Sequence, residues 1–98
     1  MVEAARANDE LIDAFIDALW LEDGLAANSL AAYRRDLRAL AAWAEGRPLL
    51  ALVEADLQAY FAAQFEASRP TTANRRLATL RRFYRWALRD GRDRKSVV

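Results

Sequence analysis

Residues 74–90 read NRRLATLRRFYRWALRD and interleave six arginines with three large aromatic residues. Guanidinium groups at that density suit an anion, and above all a polyanion whose phosphates each take up a cation. Arg75, Thr79 and Arg82 stand at i, i+4 and i+7 and share one face of a helix. Arg81, Arg85 and Arg89 form a second column at i, i+4 and i+8. Like charges so spaced repel by about 0.2–0.5 kcal/mol per pair, and the segment holds no glutamate to offset them. A polyanion would relieve the repulsion. Thr71 and Thr72 open the same run, where hydroxyls and free amides suit a phosphate or a base edge, or simply cap the helix.

A smaller version of the pattern stands upstream. Asn28 and Ser29 are followed by Tyr33, Arg34, Arg35 and Arg38. Asparagine and arginine are the side chains best able to read adenine and guanine in a major groove. The competing reading is ion pairing: Arg34 or Arg35 with Asp36 or a carboxylate across the fold, and Arg38 with the acidic first helix. Exposed pairs of that kind are common and weak.

Other chemistries lose support. Histidine and cysteine are absent, which removes the commonest general base, the commonest metal ligand and any disulfide. Tyr33, Tyr60 and Tyr84 therefore suit core or phosphate-contact roles better than nucleophilic ones. No catalytic residue, metal or cofactor is expected in these 98 residues. No apolar run approaches the ~20 residues that span a bilayer. The acidic start MVEAARANDE lacks a signal-peptide pattern, so a cytoplasmic protein with no membrane partner is expected.

The net charge of +1 conceals an asymmetry. Residues 1–67 hold twelve acidic and five basic side chains; residues 68–98 hold two acidic and ten basic ones. An anionic partner for the C-terminal part follows.

Four amphipathic runs must position these groups. The first, NDELIDAFIDALWLEDG, places Leu11, Ile12, Phe15, Ile16, Leu19 and Trp20 on one stripe, with Asn8 suited to cap it. The second carries Leu30, Tyr33, Leu37, Leu40, Ala41 and Ala44. The third offers Val53, Leu57, Tyr60, Phe61, Ala63 or Gln64, and Phe65. The fourth runs from about Pro70 to Arg89 with Leu77, Leu80, Phe83 or Tyr84, Ala87 and Leu88. Gly24, Gly46 and Gly91 follow the runs as C′ residues should, and Pro70 suits a first turn. These features predict an all-α fold, a compact bundle of four helices. Trp20, Trp43, Trp86, Phe15, Phe61, Phe65 and Phe83 are expected mainly in packing, since a base-stacking platform needs exposed rings.

DALWLE with GLAANSLAAYRRDL, a tryptophan six residues after Leu37, and the pattern T-x-x-R-R-L-x-x-L-R-x-F-Y together resemble the N-terminal core-binding domain of tyrosine site-specific recombinases of the Xer group. The likeness runs from about Leu11 to Gly91. It implies a SAM-like helical domain over residues 1–91 that clamps one face of duplex DNA, with residues 92–98 beginning an interdomain linker. It also implies a C-terminal catalytic domain, absent from these residues, that would make the full-length protein a DNA breaking-rejoining enzyme. Two further implications are a second Xer recombinase in a tetramer on DNA and a part in chromosome dimer resolution and segregation. A phage or mobile-element integrase, or a helical protein-interaction module, is the alternative. By motif match the DNA contacts fall on Asn28, Ser29, Tyr33 and Arg34, and on Thr72, Arg75, Arg76, Thr79 and Arg82, with Arg81 also matching a family arginine. The acidic first helix is expected to turn away from DNA or meet a neighbouring subunit. The chain departs from many relatives in placing Ala26 and Glu54 where a Ser or Thr would cap a helix, a loss of ~1 kcal/mol each.

Overall fold

The computed structural model describes residues 2–91. The expected linker at 92–98 lies outside the described residues. Four α-helices and no strand are present among the described residues: α1 (Val2–Ala18), α2 (Ala27–Trp43), α3 (Glu54–Ala67) and α4 (Pro70–Arg89). The all-α expectation holds. The chain divides into two compact units that part between Leu49 and Leu50, each with one pair of long helices.

In the first unit, α1 buries Leu11, Ile12, Phe15 and Ile16, the stripe that helical spacing predicts. From α2 come Leu30, Leu37 and Leu40, and from its C-cap Ala44, with Tyr33 half-buried and its ring 6.5 Å from that of Phe15. Helix α1 begins at Val2, well before Asn8, so Asn8 does not cap it. Its side chain is buried and serves the chain beyond α2 instead. The amide nitrogen donates to the carbonyl of Arg47 at 3.1 Å, and the amide oxygen accepts from the N–H of Leu49 at 2.9 Å.

Trp20 also departs from expectation. Helix α1 widens into a π-helical turn, Leu19–Asp23, ended by Gly24 at φ +61°. The wider turn keeps Leu19 buried but breaks the 3.6-residue period, and Trp20 and Leu21 emerge 58% and 79% exposed. At the end of α2 the left-handed position falls first on Glu45 (φ +53°) and then on Gly46 (φ +85°). Gly46 is thus one residue later than a simple C′ glycine.

In the second unit, α3 buries Leu57 and Tyr60, and α4 buries Ala73, Thr79, Leu80, Phe83, Tyr84, Trp86 and Ala87. Phe83 and Tyr84 are both buried, their rings edge to face at 5.0 Å, and Trp86 lies 6.0 Å from Phe83. The stripe on α4 is therefore wider than expected, while Leu88 is largely exposed. Phe65, Val53 and Phe61 lie outside the fully buried set: Phe65 and Val53 are exposed and Phe61 is half-buried. The N-cap of α3 is Val53 rather than Glu54, and the carboxylate of Asp56 accepts from the Val53 N–H at 3.0 Å. That bond supplies the half of a capping box that needs no hydroxyl at the cap. The cap of α2 is Ala26, with no side-chain bond, as its residue type dictates.

Candidate nucleic-acid interface

Two basic helix surfaces, one on each unit, carry the candidate residues. On α2, Asn28 and Ser29 are exposed in the first turn. Their amides precede the first intrahelical bond, which Leu30 N–H makes to Ala26 O at 3.1 Å. Asn28, Ala31, Arg35 and Arg38 follow at i, i+3, i+7 and i+10, which is one outward face. Arg34 flanks it, and Arg34, Arg35 and Arg38 line a shallow cleft over Ala31. Tyr33 faces the other way, towards Phe15.

The pairing on this surface matches the expectation for Arg34, a carboxylate across the fold, and differs for Arg38. Arg38 is exposed, whereas Arg34 reaches α1: its Nη1 donates to Oδ1 of Asp13. Arg34 is one-third exposed and Asp13 more than half, so the pair sits at the surface. One carboxylate of the acidic face of α1 thus touches a predicted contact residue. Arg35 and Arg38, outside the motif-matched set, share the outward face with Asn28. Their spacing from Asn28 and Ala31 is the signal that finds them.

Helix α4 begins with Pro70 at its first position and Arg69 at the cap. Neither Thr71 nor Thr72 is the capping residue. They stand in the first turn, Thr71 exposed and Thr72 half-buried, ahead of the first backbone bond, from Ala73 N–H to Arg69 O at 3.0 Å. The positive end of the α4 dipole therefore opens beside Thr71 and Thr72, with no acidic residue in the first turn. Arg75 is exposed and Arg82 half-buried, one column of the outward face.

Two predicted contacts on α4 lie elsewhere. Thr79 has no exposed surface, and its hydroxyl donates to the carbonyl of Arg75 at 3.2 Å. Position i+4 shares a face with Arg75 only approximately, and the 40° offset per four residues carries Thr79 into the buried stripe. Arg76 turns towards α3, where its Nη1 donates to Oε1 of Gln64, and is half-buried. Arg81 and Arg85 line a groove of about 670 Å³ between α3 and α4 with Leu57, Phe61, Phe65 and Leu77 as its apolar walls and Glu54 and Gln58 as further polar lining. The two arginine columns thus sit in different surroundings, one on the outward face of α4 and one beside a groove with aromatic walls.

Among the described residues no group of three or more His, Cys, Asp or Glu could hold a metal ion, and no helix is long and apolar enough to cross a membrane.

Residues 12–91 match the family described as phage integrase, N-terminal SAM-like domain. Among curated proteins, the chain is 52% identical over 86 residues to the tyrosine recombinase XerD of Ralstonia nicotianae, covering 86% of this chain and 28% of that protein. It is 44% identical to XerD of Proteus mirabilis, covering 85% and 28%. Against XerD of Pseudomonas aeruginosa it is 46% identical, covering 83% and 28%. The chain thus spans little more than a quarter of the length of these relatives. No solved structure matches it.

Proposed function

Because the chain belongs to the family of phage integrase N-terminal SAM-like domains, we propose that it is the DNA-binding N-terminal domain of a XerD-type tyrosine recombinase. It clamps duplex DNA at a recombination site, in chromosome dimer resolution and segregation. The observation that carries this reading is α4. Its outward face holds exposed Arg75 and half-buried Arg82, its first turn opens amides beside Thr71 and Thr72, and it contains no acidic residue. Phosphates take up both the cations and the helix dipole.

Most contacts go to the sugar-phosphate backbone and a few to bases. Arg75 and Arg82 bind phosphate, with the Thr72 turn beside them. On the other unit Asn28 reads a base edge, Ser29 stands at the same helix end, and Arg34, Arg35 and Arg38 supply cations. Tyr33, turned to Phe15, orients α2. Arg76 and Thr79 act from within the second unit as supports of α4.

Residues 1–91 form the binding domain and 92–98 begin the linker to a catalytic domain that breaks and rejoins DNA. The full protein works in the cytoplasm, in a tetramer with a second Xer recombinase. The XerD names of the relatives favour this reading over a phage or mobile-element integrase.

Titration of the chain against a duplex at several salt concentrations tests the proposal. The expected log–log plot falls by about 0.9 for each phosphate neutralised. Affinity that ignores salt, or none at low salt, overturns it and leaves a protein-interaction module.

A further inference from the structure

We propose that Asp13 is an electrostatic restraint on Arg34: it holds the guanidinium against α1 and so lowers the affinity of the basic α2 face for a polyanion. The inference rests on the DNA-binding reading above and adds a residue that opposes binding.

Asp13 lies in the middle of α1, away from both helix ends, where it serves neither as a cap nor as a dipole partner. Asp9 and Asp17 stand one turn before and after it, all three exposed, and this column of like charges repels along the helix. Local stability therefore gives no reason for a carboxylate here. The bond to Arg34 gives one.

The pair is monodentate, through Nη1 alone. The cations nearest in sequence, Arg35 and Arg38, are exposed and line the cleft beside Arg34. A phosphate arriving at that cleft meets two open guanidinium groups and a third already engaged. To use Arg34 it must displace the carboxylate or share the guanidinium with it, and it approaches a negative charge in either case. Both effects reduce affinity, and both are screened by salt. Exposed ion pairs of this type are worth roughly two- to fivefold in an equilibrium constant.

The test is a double-mutant cycle on the chain with a 30-base-pair duplex of random sequence. Asp13→Asn is expected to tighten binding about two- to fivefold at low salt, fading as salt rises. In an Arg34→Ala background the same substitution is expected to give a clearly smaller gain, the part that comes from the negative charge alone. An equal gain in both backgrounds overturns the proposal, because Asp13 would then act through the general field. A loss of affinity on Asp13→Asn overturns it as well, since the carboxylate would be orienting Arg34 for binding. The functional reading fails in a different way. If the unsubstituted chain binds no duplex at low salt, both fall together. If it binds and Arg34→Ala leaves affinity and salt slope untouched, only Arg34, and with it the restraint, is removed from the interface.

Discussion

Asn8 and Leu49 are 41 residues apart, yet the Asn8 carboxamide oxygen accepts the Leu49 N–H at 2.9 Å while its nitrogen donates to the carbonyl of Arg47. One side chain on α1 thereby fixes the chain that leaves α2, and it does so with both ends of an amide. Loss of the carboxamide removes both of these bonds from a buried place. Asn8→Ala is expected to destabilise the protein by about 1–3 kcal/mol, read as a lower denaturant midpoint at unchanged slope. Asn8→Asp should also destabilise, because a carboxylate accepts from Leu49 but cannot donate to Arg47. A variant as stable as the parent would show that the two bonds contribute nothing.

Glu45 sits at φ +53°, a left-handed conformation that costs a non-glycine residue about 1–2 kcal/mol. Its side chain is exposed. Glycine removes the steric cost but adds up to about 1 kcal/mol of entropy to the unfolded chain. Glu45→Gly is therefore expected to be neutral or stabilising by up to ~1 kcal/mol in chemical denaturation. A clear destabilisation would mean that the glutamate side chain contributes more than the backbone geometry costs.

The helix count and the buried stripes are legible in the sequence because apolar residues recur at helical spacing between Gly and Pro punctuation. Leu37, Leu40 and Leu80 follow that rule and are fully buried. Asn8 breaks it, since its residue type suits a cap and its true partners are 39 and 41 residues away. Trp20 breaks it for another reason: a π turn inserts into the period, and no local residue announces it. The candidate interface is legible in its charge and less so in its directions. A spacing of i+4 admits either edge of a face, so it cannot separate Arg75, which is exposed, from Thr79, which is not.

Thr79 offers a direct check of that separation. Its hydroxyl is already bonded to the Arg75 carbonyl and no part of the residue reaches the surface. Valine keeps the shape and removes the hydroxyl, and the carbonyl it leaves is already within the helix ladder. Thr79→Val is expected to leave duplex affinity within twofold and to change stability by less than about 1.5 kcal/mol. A tenfold loss of binding with stability intact would return Thr79 to the contact set.

The arginines of α4 should separate by the same logic. Arg75 and Arg82 lie on the outward column, so Arg75→Ala and Arg82→Ala are each expected to weaken duplex binding and to take about 0.9 from the log–log salt slope. Arg76 is half-buried and bonded to Gln64 on α3. Truncating it removes a charge-assisted hydrogen bond and the packing of the aliphatic stem, for an expected loss near 1 kcal/mol of stability. Its salt slope should stay that of the parent, because no phosphate contact is lost. Gln64→Ala should reproduce part of the stability loss with binding unchanged, since it deletes the same bond from the other side. If Arg76→Ala lowers the slope as Arg75→Ala does, the guanidinium leaves Gln64 for phosphate when DNA binds, and the division of α4 into a contact column and a support fails.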